Sequence, residues 1–491
     1  MKTYQKFILG GLGSLGALGL AAWTYKKVDL AQRLPLGTYR IQPTMRDLIN
    51  SQNSRQKLQW QTDNGTFRGW EDETVLRVQG IRYAISERYG VPEKYTYPEG
   101  VFDMMTPAPL SVQNRSGFEE FYGGVQYDAI PQDEFGQYLS ITLPKDIQPN
   151  EKLPVLVWIH GGGYGNGGID IKSYDPQLLV SEHRIIVVSI SYRLGVLGYL
   201  RDRDGHFANL GLLDQIEALK WIHRNIGYFG GDNQQVTLYG ESAGANAVQY
   251  LMIAQGTEEL FQKVIIASSP FATMDDRNEM NRQMLTAYNQ LPIEATLEEI
   301  LAKQDQIIAN IDEEGYAKNM FFAPHYGVYP LPTKEEAEAA WTEATQRLDV
   351  LIGATTREAA AFIGEDSYLK LAGSLPGIKR LIEQKLKTLS HDIFIDGAES
   401  FAQRYANSQR AMYYYLMHWG EGHLLGASHT IDLSLAFGNN HPQSPILLGM
   451  TKEDVDYYGR QFRAVLAGFI KTGAIDVDEI PEVMTIEHLG K

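Results

Sequence analysis

Six short runs of apolar, largely β-branched residues limit what this chain can become: LPVLVWIH (153–160), RIIVVSISY (184–192), QVTLYG (235–240), KVIIAS (263–268), LDVLIGAT (348–355) and AMYYYLMHW (411–419). Nearly every position is apolar rather than every second one. Both faces of each run must therefore be covered, as in the strands of a buried parallel sheet. The segments between them carry helical spacing. In LGLLDQIEALKWIHRNIGYFGG, Leu212, Ile216, Leu219, Ile222 and Ile226 recur every three or four residues and line one helix face, and Gly230 and Gly231 follow as a stop. Strand and helix in alternation predict a central, mostly parallel α/β sheet with helices on both faces. Its ligand site is expected at the carboxyl ends of the strands.

Composition agrees with a large folded unit and removes several functions. The chain has 491 residues, 44% of them hydrophobic, enough for a sizeable core in one domain with insertions. A formal net charge of -16 disfavours nucleic acid and anionic membrane surfaces. The absence of cysteine excludes disulfides, thiolate zinc sites and cysteine nucleophiles, and no HExxH frames the histidines. Neither a metal nor a cofactor is expected.

Residues 1–30 stand apart. Phe7 to Trp23 is an uncharged stretch of 17 residues followed by Lys26 and Lys27. It is long for the core of a signal peptide and short for an untilted membrane span. An uncleaved anchor and a cleaved signal both imply export, with the protein membrane-anchored by its N-terminus or secreted or periplasmic. A buried helix is the third reading. Residues 31–491 are read as the catalytic domain.

Within the third run's continuation, GESAG (240–244) fits G-x-S-x-G, in which a serine occupies a tight strand-to-helix turn above the sheet. QVTLYG supplies the strand and ANAVQYLMIA the helix, whose N-terminus adds positive potential near Ser242. Acyl transfer through such a serine needs donors aimed at the developing oxyanion. One is the amide of Ala243. Others come from a glycine-rich loop after an earlier strand, here HGGGYGNGG (160–168), so Gly162 and Gly163 are the candidate donors. The same loop has a rival reading, because Gly163, Gly165 and Gly168 satisfy G-x-G-x-x-G. A dinucleotide fold, however, expects an acidic residue at the end of the next strand, and Ser191, Tyr192 and Arg193 stand there instead.

Further segments carry a resemblance. VQGIRYA (78–84), SYRLGVLGYL, NLGLLDQIEALKWIHRNIGYFGGD, VTLYGESAGA, GASHTIDLSLAFG (426–438) and GFIKTG (468–473) occur in the order found in type-B carboxylesterases and cholinesterases, and the chain resembles that family of α/β-hydrolases over most of its length. The resemblance implies the α/β-hydrolase fold with helical insertions, hydrolysis of small-molecule carboxylic esters, and a Ser-Glu-His order. It places the nucleophile at Ser242, the acid at Glu358 in LIGATTREAAAF, and the base at His429, with Glu365, Asp366, His418 and His423 as neighbouring alternatives. Arg357 and Ala359 depart from the family's pattern around the acid. Glu241 and Ser268 are candidates for supporting roles, whereas Arg193, Asp214 and Asp232 are equally well explained as fixing loops.

Two departures bear on substrate. The family's cysteine is missing from EFGQYLSI (134–141), and residues 85–109 contain no tryptophan, where cholinesterases carry one that binds choline. Poor selectivity for choline esters is expected, and Tyr89, Tyr95 and Tyr97 are either pocket or packing residues. A non-catalytic adhesion module on the same fold is the alternative from another class. Thioester, amide and carbamate cleavage are alternatives within catalysis.

Overall fold

The computed structural model describes residues 57–116, 130–148, 150–311, 315–362, 376–423, 425–438, 445–447 and 449–490. The N-terminal stretch Phe7–Trp23 and the alternatives Glu365 and Asp366 lie outside them.

All six apolar runs become strands. In chain order the main sheet holds β1 (Lys57–Thr62), β2 (Gly65–Asp72), β3 (Val75–Arg82), β4 (Tyr138–Pro144), β5 (Leu153–Ile159), β6 (Ile186–Ile190), β7 (Gly231–Glu241), β8 (Lys263–Ala267), β9 (Asp349–Thr355), β10 (Met412–Met417), β11 (Glu479–Ile480) and β12 (Met484–His488). Their spatial order is β1-β2-β3-β4-β6-β5-β7-β8-β9-β10-β12-β11, with Val101–Asp103 paired to β2. The six from β6 to β10 are parallel, and antiparallel strands close both ends. This is the doubly wound, mostly parallel sheet of the α/β-hydrolase fold.

Side chains alternate between two cores. Val155, Val157 and Ile159 of β5 face one side with Leu219 and Ile222, while Leu156 and Trp158 face the other with Phe462 and Leu466. The helices that matter here are α1 (Leu210–Asn225), α2 (Ala243–Ile253), α3 (Pro376–Ser390), α4 (Asp396–Tyr405), α5 (Ile431–Phe437) and α6 (Lys452–Thr472). The apolar face predicted for α1 is buried, and a 3-10 turn extends it to Phe229. Gly230 ends that turn in the left-handed region at φ 81°, as expected of a stop residue. Gly231 departs from the expectation: it already belongs to β7, beside Leu153, where a Cβ would sit 2.6 Å from Ile226 Cγ1.

On the second core, Trp158 is fully buried with Tyr239 and Phe437 edge-on at centroid distances of 5.0 Å. Truncating it to alanine would cost about 3–5 kcal/mol. This packing holds β5 and β7, whose carboxyl ends carry the glycine-rich loop and Ser242, in fixed register. Among the described residues no helix is long and apolar enough to cross a membrane.

Candidate active site

Ser242 joins β7 directly to α2 with φ 57° and ψ −124°, a conformation uncommon for a residue with a side chain. The turn is held by Ser242 N–H donating to Ala267 O at 2.9 Å and by Asn246 N–H donating to Ser242 O at 3.0 Å. Its flanking glycines are sterically required. A Cβ on Gly240 would lie 2.2 Å from Gly244 O, and one on Gly244 would lie 2.0 Å from Ile159 O. The strand, turn and helix thus pack too tightly for any larger residue, and Ser242 is left partly exposed at the sheet's carboxyl edge.

The glycine-rich loop approaches this turn through Gly161, a residue outside the sequence-based assignment. A Cβ there would come within 3.0 Å of Ser242 Cβ and 2.8 Å of Glu241 O. Gly162 and Gly163 follow at φ 99° and 60°. Around Gly163 there is open space, so its glycine answers a conformational need and not crowding. The loop is braced from below: Gly165 N–H and Asn166 N–H both donate to Gly162 O, and Tyr164 donates its hydroxyl to Asn246 Oδ1 at 2.9 Å. No α-helix begins at this loop, the next being the short one at Gln177–His183, so the dinucleotide fingerprint lacks the helix N-terminus it needs for a pyrophosphate.

Glu358 and His429, 71 positions apart, meet at the ends of β9 and β10. His429 Nδ1 lies 2.5 Å from Glu358 Oε2, and Glu358 Oε1 accepts from Thr355 N–H at 2.7 Å. Two backbone bonds lock the segments together: Arg357 N–H to Ala427 O at 2.9 Å and His429 N–H to Glu358 O at 3.3 Å. On its other edge His429 Nε2 is 3.2 Å from Glu241 Oε1. All three side chains are at most 2% exposed. Burial by itself would depress the imidazole's pKa, but the carboxylates of Glu241 and Glu358, the hydrogen bond to Glu358 and Asp432 outweigh it and raise it to about 9.

Asp432, in the first turn of α5, was not singled out from the sequence. It is fully buried, and neither oxygen has a well-formed side-chain hydrogen bond among the described residues, although the amides of Asp432 and Leu433 face it. Burial and the neighbouring negative charge of Glu358 push its carboxyl up to about 7. A charge in an otherwise helical run gives no sign of this.

The other assigned residues sort clearly. Ser268 is buried at φ 53° after β8, its N–H donating to Gly353 O at 2.8 Å, so it stands in the wall between the strands that carry Ser242 and Glu358. His423 is exposed beside Gly449, and His418 donates its N–H to Val483 O. Arg193 and Asp214 form a fully buried pair that also ties down Gly90 O and Gln137, and Asp232 accepts from Gln234 N–H in a local turn. The tyrosines of residues 85–109 are packing residues: Tyr97 sits edge-on to Phe67 and Tyr95, and Tyr89 bonds Tyr288 at 2.7 Å.

A parallel sheet that delivers a serine elbow, a glycine-rich loop and a carboxylate–imidazole pair to one edge is the arrangement of the α/β-hydrolases. Within that class, the model described as "Carboxylesterase family" matches residues 56–374, and the chain belongs to this family of carboxylic ester hydrolases. It is 32% identical to a probable N-octanoylanthranilate hydrolase of Rhodococcus erythropolis, covering 84% of this chain and 92% of that one. It is 28% identical to the para-nitrobenzyl esterase of Bacillus subtilis, covering 84% and 89%. Among solved structures, a PNB esterase superposes with a TM-score of 0.75 at 26% identity, covering 88% of this chain and 97% of that one. The protein is a hydrolase of small-molecule carboxylic esters.

Proposed function

We propose that ester cleavage proceeds through an acyl-enzyme on Ser242. His429 accepts the hydroxyl proton as Ser242 Oγ attacks the carbonyl carbon. The amides of Gly162, Gly163 and Ala243 hold the oxyanion, and Glu358 orients and stabilises the imidazolium. His429 then returns the proton to the departing alcohol. Water, deprotonated by the same imidazole, releases the acid and restores Ser242. Glu241 adds a second negative charge at the other edge of the ring, and Ser268 supports the wall behind it.

The observation that carries this reading is the 2.5 Å contact between Glu358 and His429 beside the Ser242 turn. It supports the roles because a carboxylate at Nδ1 fixes the tautomer in which Nε2 takes the proton, and Nε2 is turned towards the end of β7, where Glu241 precedes Ser242. The test is a p-nitrophenyl ester series with wild type and Ser242→Ala. Wild-type turnover and a loss of several orders of magnitude in the variant are expected, and a variant that retains turnover overturns the assignment. The Rhodococcus relative's name adds an N-octanoyl aryl amine to the panel, as the amide alternative.

Substrates are expected to be neutral esters, since no tryptophan occurs in residues 85–109 and the tyrosines there are engaged in packing. We further assign residues 1–30 as an export signal or membrane anchor ahead of a single catalytic domain in 31–491. The support is the uncharged run Phe7–Trp23, and the mass of the mature N-terminus tests it.

A further inference from the structure

The helix from Pro376 to Tyr405 is interrupted in one place. Between α3 and α4, His391–Ile395 forms a single π-turn, in which an extra residue is accommodated without ending the helix. Such turns are costly and concentrate at functional sites. Inserting one residue shifts the helical phase by about 100° across the turn, and Phe394 lies within it, so the turn's backbone sets which way its side chain points.

Phe394 points at His429. Its ring centroid is 5.0 Å from that of the imidazole, at 45° between planes, and Phe362 approaches at 5.1 Å and 43°. The two phenyl rings are nearly parallel, 8° apart at 6.4 Å. The turn is anchored at its N-terminal end by two hydrogen bonds. Ser390 Oγ accepts from the N–H of Ala359, the residue after Glu358, at 3.0 Å, and Tyr316 donates its hydroxyl to Asp392 at 2.5 Å. Phe394 itself is 2% exposed.

The carboxylates and the rings act on different parts of the imidazole. Glu358 meets the ring at Nδ1 and Glu241 approaches Nε2, while the two phenyl rings pack against it at 43° and 45°. An aromatic face presents negative potential to a cation and excludes water from it. The charged groups facing His429 are Glu358 from the turn after β9, Glu241 from the end of β7 and Asp432 from α5. The ionisable groups of the π-turn are occupied elsewhere, His391 with Asp396 and Asp392 with Tyr316.

We propose that Phe394, aimed by the π-turn and acting with Phe362, is a positioning residue for His429 that fixes the tilt of the imidazole and stabilises it when it holds the serine proton. The inference rests on His429 being the base. It assigns a role to a segment, HDIFI, that no motif marks.

The experiment is a pH profile of kcat and kcat/KM for p-nitrophenyl acetate with Phe394→Leu, which keeps most of the volume and removes the ring. Folded sites are counted by active-site titration with a fluorophosphonate. With the ring lost, the acid limb should move to lower pH by roughly 0.4–0.7 and the alkaline plateau of kcat should fall about two- to fivefold, from the strength of a cation–ring contact. KM should change less than kcat. Phe394→Tyr, which keeps the ring, should return the limb to its wild-type position. An acid limb unmoved in Phe394→Leu, or moved equally in Phe394→Tyr, overturns the proposal. If Phe394→Leu fails to fold, Phe362→Leu is read against the same two criteria. His429→Ala separates the premise from the inference: full turnover in that variant removes the base assignment itself.

Discussion

The imidazole of His429 lies between two carboxylates, with Nδ1 2.5 Å from Glu358 Oε2 and Nε2 3.2 Å from Glu241 Oε1. In a buried site such charges are weakly screened, so together they hold the ring in its protonated form at pH values where a free histidine is neutral.

This arrangement predicts the pH dependence of catalysis. Below its pKa His429 already carries the proton and cannot accept one from Ser242, so activity should rise with pH. The midpoint of kcat/KM should lie above 6.5, towards the value of about 9 at which the folded site releases the proton. Glu241→Gln removes one of the negative neighbours and should move that midpoint to lower pH. A wild-type midpoint at or below 6.5, or a limb unmoved by Glu241→Gln, would contradict the electrostatic account.

Stability should respond to the same cluster. Asp432 has a folded-state pKa of about 7 against 3.8 in its unperturbed form, so the folded protein binds its proton more tightly than the unfolded chain. Its contribution is therefore fully present below pH 3.8 and is lost as pH rises to about 7. His429, raised from 6.5 to about 9, contributes below 6.5 and loses its contribution as pH rises through 9. Asp432→Asn should raise Tm at pH 8 relative to wild type, with the difference closing towards pH 4. Differential scanning calorimetry at several pH values measures this, and an equal Tm difference at every pH would count against it.

The glycines of the site should separate by cause. Gly244→Ala places a methyl group 2.0 Å from Ile159 O and should destabilise by on the order of 3 kcal/mol, since backbone on both sides must move. Gly163→Ala meets open space and carries only the cost of φ 60°, about 1 kcal/mol. Urea unfolding of the two variants should show that ranking. Equal losses would mean that the tight turn around Ser242 yields more readily than its contacts imply.

Substrate charge supplies another check. With Tyr97 packed against Phe67 and Tyr89 bonded to Tyr288, the segment 85–109 offers no tryptophan face to a quaternary ammonium, and a neutral butyrate ester should be cleaved at least as efficiently as butyrylcholine. Compared kcat/KM values for the two decide it, and a clear preference for butyrylcholine would contradict the expectation.

Much of the framework was legible locally. Runs such as RIIVVSISY and KVIIAS are apolar throughout because the strands they form are covered on both faces, and all six appear in the parallel part of the sheet. The antiparallel strands β1 to β4 carry no continuous apolar run, because polar residues such as Arg77, Gln79, Ser140 and Thr142 interrupt even the largely buried β3 and β4. GESAG was informative because its glycines are imposed by contacts within one strand, turn and helix. Phe394 and Asp432 had no such signature: one depends on a π-turn and the other on burial, and neither property is periodic in sequence.

By itself the sequence determined the alternation of strands and helices and the serine turn with its glycines, because each follows from sterics or hydrophobic spacing over a few neighbouring residues, whereas the order Ser242, Glu358, His429 is what the resemblance to the family implies. Tertiary structure alone decided that Glu358 takes one edge of the His429 ring and Glu241 the other, with Phe394 packed against it at 45°. Those relationships join positions 35 to 188 residues apart, and their strength depends on distance and on removal from water, which only the folded packing sets.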